Sequence, residues 1–235
     1  MAEIILQIRA DLENNSDKKS QISGQRFFKE KVKLYGVKTA VVTQIGKTYF
    51  SQIKANDKSE IYRLCQELWQ SGYIEESFIA CHWSYYLHNK YGEKDLGIFE
   101  SWLQQYVNNW ASCDTLCNHT IGTFTEMYPE SISRLKTWTQ SPNRWLKRAS
   151  AVSLIIPAKK GLFLKDIFEI SDLLLIDGDD LVQKGYGWLL KAASQSQLQL
   201  VFDYVMKHKN TMPRTALRYA IEKMPPKLKN EAMAK

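Results

Sequence analysis

Apolar residues recur along this chain at helical spacing. Ile4, Ile5, Ile8 and Leu12 share one stripe over residues 2–13, because positions three, four and seven apart lie on one face of a helix. The polar stretch NNSDKKS (residues 14–20) reads as a breaker. Further helices are predicted over 24–34, 38–51, 58–70, 74–90, 95–106, 110–127, 130–139, 142–156, 163–174, 179–194, 197–208 and 212–223. Pro129, Pro142 and Pro213 fit first helical positions, where a missing N–H costs nothing. Ser141 is placed to cap the helix after it. Only 151–157 (AVSLIIP) carries a strand-like run, and the longer helical pattern around it overrides that signal. The end KLKNEAMAK (227–235) reads as frayed.

Inner helices beginning near 74, 110, 142 and 179 recur every 32 to 37 residues, close to the period of stacked helix pairs. The expected architecture is all-α: a HEAT-like helical-repeat solenoid with a concave basic groove, forming one domain over residues 1–235. An irregular helical bundle is the alternative. No linker or low-complexity tract interrupts the chain.

The bulk properties narrow the class. With 44% hydrophobic and 24% charged residues, the 235-residue chain is composed like a folded globular protein. The 11 Gly and 6 Pro are few for a loop-rich β design. No apolar run approaches the ~18–20 residues that span a bilayer. The N-terminus turns polar too soon for a signal peptide, so a cytoplasmic protein, in the bacterial cytoplasm or nucleoid, is expected. Cys65, Cys81, Cys113 and Cys117 are expected as reduced, buried thiols. A net charge of +7 is compatible with a polyanionic partner and equally with plain solubility.

Candidate chemistry sits where charge breaks an apolar stripe. In the helix over 110–127, Trp110, Cys117, Ile121 and Phe124 form the stripe and Asp114 falls on it. A carboxylate there is costly unless it is paired or works in a wet cleft. Over 142–156 the stripe is Trp145, Ala149, Val152 and Ile156, with Arg148 at its edge. Over 179–194 it is Leu181, Gly185, Trp188 and Ala192. Gly185 and Gly187, both inside a helix, mark close approach of another backbone or a ligand. Trp110, Asp114, Arg148 and Trp188 could line one cleft; a buried Asp114–Arg148 ion pair flanked by core tryptophans is the other reading. Cys113, Cys117 and His119 lack a second ligand pair, so no metal site is expected.

The ordered segments Trp110-Ala-Ser-Cys-Asp114, Trp145-Leu-Lys-Arg148-Ala and Gly185-Tyr-Gly-Trp188-Leu-Leu resemble the AlkD-type DNA alkylation-repair glycosylases. Leu34-Tyr-Gly-Val37, Glu67-Leu-Trp69 and Tyr128-Pro-Glu130 extend the resemblance over nearly the whole chain. It implies a monomeric enzyme on double-stranded DNA, without membrane or cofactor. Such an enzyme hydrolyses the N-glycosidic bond of N3- or N7-alkylated, cationic purines. It further implies Asp114, Trp110 and Trp188 as the catalytic cluster and Arg148 as a DNA-backbone contact. Lys147, Arg144, Phe27, Lys184 and Lys191 are the further DNA-binding candidates. Phe27 stands where some relatives carry a tyrosine, and Asn109 where some carry an aromatic. The alternative function is a non-catalytic helical-repeat protein that binds damaged or branched DNA, and a third is a protein–protein scaffold.

Overall fold

The first departure from the sequence pattern comes at residues 14–38. The computed structural model, which describes residues 2–234, starts α1 at Ala2–Asn14 and then begins α2 (Lys18–Gln25) inside the polar stretch expected to break the chain. Asp17 explains the start: its carboxylate accepts the Ser20 backbone N–H at 2.7 Å and caps α2. The helix expected over 24–34 is accordingly replaced by α2 and a non-helical segment through residue 38. That segment is tied down elsewhere. The Glu75 carboxylate accepts the backbone N–H groups of Tyr35 (3.1 Å), Gly36 (2.8 Å) and Val37 (3.2 Å), and Lys33 bridges to Tyr73. Gly36 turns the chain at φ 85, where a Cβ would strike the Asp17 carbonyl at 2.5 Å.

The remaining helices follow the pattern closely: α3 (Thr39–Ile53), α4 (Lys58–Gln70), α5 (Ile74–Tyr86), α6 (Asp95–Gln105), α7 (Trp110–Thr115), α8 (Gly122–Met127), α9 (Ile132–Trp138), α10 (Arg144–Val152), α11 (Ile155–Lys159), α12 (Leu164–Leu173), α13 (Asp180–Ala193), α14 (Leu198–His208), α15 (Arg214–Ile221) and α16 (Pro226–Met233). A π-helical turn, Leu116–Ile121, joins α7 to α8. Several local expectations change. The cap of α10 is Asn143, whose side chain accepts the Trp145 N–H at 2.8 Å; Ser141 instead accepts the Asn143 N–H. Pro142 therefore precedes the cap, and Pro213 occupies a cap position, while Pro129 does open a 3-10 turn. The 142–156 helix breaks at Leu154, so 151–157 is helix and turn rather than strand. The end expected to fray forms α16, with Ala232 buried and Lys209 donating to the carbonyls of Glu231 and Ala234; Lys235 lies outside the described residues.

No strand occurs among the described residues, so the fold is all-α as the pattern requires. The chain divides into two compact units, Met1–Leu116 and Cys117–Lys235. Inside the first, α3, α5 and α7 pack in sequence as one layer, while α1 and α4 pack together behind them. Tyr62 of α4 and Trp102 of α6 meet edge to face at 5.8 Å, and the Trp83 indole N–H reaches the Gly46 carbonyl at 2.8 Å. Inside the second, α10, α13 and α15 form one layer and α9, α12 and α14 the other, with Phe168 stacked on Tyr204 at 4.7 Å. Each unit is thus a two-layer stack of helix pairs. The inner helices α5, α7, α10 and α13 start at residues 74, 110, 144 and 180, within two residues of the expected starts. All four cysteines are buried and free of disulfides, and burial pushes the Cys65 thiol well above its ordinary range. No helix among the described residues is long and apolar enough to cross a membrane.

Candidate active site and nucleic-acid interface

In the first unit, the candidate carboxylate is placed by the start of α7. Asn109 caps that helix: its Oδ1 accepts the Ser112 N–H at 2.9 Å, and its Nδ2 donates to the Ser112 hydroxyl at 3.0 Å. The Ser112 and Ser77 hydroxyls lie 2.7 Å apart, and Ser77 donates onward to the Ile74 carbonyl at 2.7 Å. This buried chain ties α7 to α5 and fixes the helical phase from which Trp110 and Asp114 project, one turn apart. Asn109, which the sequence flagged only as a replaced aromatic, is therefore a structural cap.

Asp114 is almost buried, at 8% exposure. Trp110 is half-buried, and its indole N–H donates to the Phe27 carbonyl at 3.3 Å. Phe28 stacks on the Trp110 ring at 5.4 Å with planes 26° apart. Phe27 itself is 72% exposed. With Phe27, Phe28, Leu34, Val37 and Phe78, Trp110 lines an apolar hollow of about 240 Å³. Sequence reasoning singled out Phe27 for its missing hydroxyl; the ring that braces the tryptophan belongs to Phe28, which no periodic signal marked.

The second unit carries Arg148 and Trp188. Arg148 is nearly buried, at 5% exposure, and its Nη1 donates to the Leu181 carbonyl in the first turn of α13. Trp188 is half-buried two turns further along the same helix. The two glycines of α13 have separate explanations. A Cβ on Gly187 would meet the Tyr219 Cβ at 2.7 Å and the Ala216 carbonyl at 2.8 Å, so it permits the close crossing of α13 and α15. A Cβ on Gly185 would instead face the stem of Arg148.

The basic candidates of this unit already hold carboxylates. Arg144 Nε donates to Asp179 at 2.7 Å, and Lys147 to Asp177 at 2.6 Å. Lys184 pairs with Asp180 at 3.1 Å and Lys191 with Glu222 at 2.9 Å, which holds the Glu222 carboxyl below its ordinary range. Asp177 and Asp179 build the turn that starts α13: Asp177 accepts the Asp179 N–H and Asp179 caps α13 through the Leu181 N–H. That the same acids would hold Arg144 and Lys147 was not legible in the sequence, because their partners lie 30 and 35 residues away.

A family of DNA alkylation repair enzymes matches the chain over residues 8–224. The protein belongs to that family. A solved structure described as a predicted DNA alkylation repair enzyme from Enterococcus faecalis superimposes with a TM-score of 0.80 at 14% identity, covering 90% of this chain and 98% of that one. At that identity the likeness shows the shared fold. No curated protein sequence matches. Membership assigns the protein to the repair of alkylated DNA, and so to a role on DNA.

Proposed function

We propose that this family member is a DNA glycosylase that releases N3- and N7-alkylated purines from duplex DNA, acting as a monomeric single-domain enzyme in the bacterial cytoplasm. A purine alkylated at N7 or N3 already carries positive charge, so it departs without protonation. The charge that develops in the transition state sits on the deoxyribose, which becomes oxocarbenium-like. A carboxylate suits that demand: it stabilises the sugar cation and orients the attacking water, as carboxylates do in glycoside hydrolysis. The chemistry calls for neither a metal nor an organic cofactor.

The observation that carries this reading is Asp114 held one turn after the half-buried Trp110 on a helix locked by Asn109, Ser112 and Ser77. At 8% exposure the carboxylate acts in a low-dielectric surrounding, where its field on a cation exceeds its value in water. Trp110, backed by Phe28, offers an indole face to the sugar, an attraction of about 0.5–2 kcal/mol. Trp188 has the same role, and Arg148 holds a backbone phosphate, which positions without reading sequence. Phe27, Arg144, Lys147, Lys184 and Lys191 complete the proposed DNA contacts.

Release of 7-methylguanine from methylated duplex DNA, wild type beside Asp114→Asn, tests the assignment. The expected result is a rate loss of at least about 100-fold with DNA affinity kept within a few-fold. The near-burial of Asp114 favours a second reading, a non-catalytic protein that binds damaged or branched DNA and uses Asp114 as an internal ion. Absence of base release by the wild type, with DNA binding intact, would establish that alternative.

A further inference from the structure

We propose that Gly185 is a positioning residue: with the Leu181 carbonyl it forms a cradle on α13 that sets where the Arg148 guanidinium stands. The inference rests on the DNA-backbone role proposed for Arg148.

Gly185 lies in the interior of a 14-residue helix, where glycine is destabilising relative to alanine. Its companion Gly187 has a reason in the α15 crossing. Gly185 does not share it: the atoms nearest to a Cβ built there are Arg148 Cγ at 3.4 Å, Arg148 Nη1 at 3.7 Å and Val152 Cγ2 at 3.7 Å, all from α10. Two residues apart, the glycines serve opposite neighbours. A methyl group fills the remaining gap in ordinary contact, and any atom beyond it enters the volume of the arginine stem.

The guanidinium is fixed at the other end of the same groove, where Nη1 donates to Leu181 O one turn earlier. Arg148 therefore lies against two successive turns of α13, the helix that carries Trp188: its stem and Nη1 pass beside Gly185, and Nη1 reaches Leu181. The position of the fork is set by the profile of that groove, and the glycine is its floor.

A graded series separates this role from a packing role. Gly185→Ala, Gly185→Ser and Gly185→Val are made with Arg148 present and with Arg148→Ala, and each is measured for duplex affinity across salt and for thermal midpoint. The alanine variant is expected to bind within about threefold of wild type with an equal or higher midpoint. The valine variant is expected to bind about 10-fold more weakly, with the slope of log K against log salt flattened by about one phosphate contact. In the Arg148→Ala background the valine change is expected to add nothing. Serine, which carries one atom beyond Cβ, gives the intermediate case and the readout should the valine variant not fold. Equal losses in the two backgrounds, or wild-type affinity for both the serine and valine variants, overturn the cradle while leaving the repair assignment standing. Wild-type affinity and slope for Arg148→Ala alone overturn the backbone role of Arg148, and the cradle with it.

Discussion

Among the glycines inside helices, Gly187 makes the sharpest steric statement. Alanine in place of a mid-helix glycine ordinarily gains about 1 kcal/mol. At Gly187 the added methyl meets the backbone of Ala216 and the Cβ of Tyr219, neither of which is the far end of a flexible side chain. The crossing of α13 and α15 must widen, and overpacking of that kind costs about 1–3 kcal/mol. Gly187→Ala is therefore expected to lower the urea midpoint with an unchanged m value, while Gly185→Ala on the opposite face leaves it level or raises it. A common response of the two variants would contradict the separate roles of the two glycines. The sequence carried half of this result. Glycines inside a strong helical pattern mark close approach, but spacing alone does not name the neighbour. Asp114 and Arg148 were legible for a related reason: a charge on an apolar stripe is visible in one dimension. Phe28 was not, because its contact with Trp110 joins residues remote in sequence and follows no period.

For whole elements, the segment between α2 and α3 is where pattern reading failed, and Glu75 shows why. Within residues 24–34, Phe28 and Val32 lie four apart and Phe27 and Leu34 seven apart, a spacing that fits a helix. The backbone N–H groups just beyond, at Tyr35, Gly36 and Val37, are drawn instead to one buried carboxylate on α5. A tertiary acceptor that satisfies three donors outweighs weak local helix propensity, and no local rule announces it. The neighbouring Glu76, fully buried, takes the Arg9 guanidinium at 3.1 Å and the Tyr35 hydroxyl at 2.8 Å, and burial raises the Tyr35 hydroxyl above its ordinary range. Glu75→Ala leaves three N–H groups without their acceptor, at a cost of about 3 kcal/mol or more. Hydrogen exchange at residues 35–37 is expected to accelerate, with α13 unaffected. Because the same segment brings Phe27 and Phe28 onto Trp110, the tryptophan emission is expected to shift as well. Unchanged protection at residues 35–37 would mean that other contacts hold the segment. The helices themselves were the easy part of the chain, since each buries one stripe against a neighbour and the period of 3.6 records that face.

Across the whole molecule, the +7 charge overstates the cations that are ready to meet a polyanion. Arg144 and Lys147, both proposed to touch DNA, are held by Asp179 and Asp177 from one short turn before α13. A phosphate must displace or share those acids, so each engaged cation contributes less counterion release than a solvated one would. Neutral amides offer a clean test, because they remove the charge and keep the caps: the side-chain oxygens of Asp177 and Asp179 that accept the Asp179 and Leu181 N–H groups have counterparts in asparagine. Partly exposed ion pairs contribute about 0–1 kcal/mol, so Asp177→Asn with Asp179→Asn should cost little stability. Its affinity for duplex DNA is expected to rise at low salt, and the slope of log K against log salt to steepen by about 0.9 for each cation set free. A slope equal to that of the wild type would place Arg144 and Lys147 away from the DNA path and leave the phosphate contacts to Arg148 and the remaining lysines. A steeper slope would mean that the repair protein restrains its own grip on undamaged DNA through acids built into the start of the helix that carries Trp188.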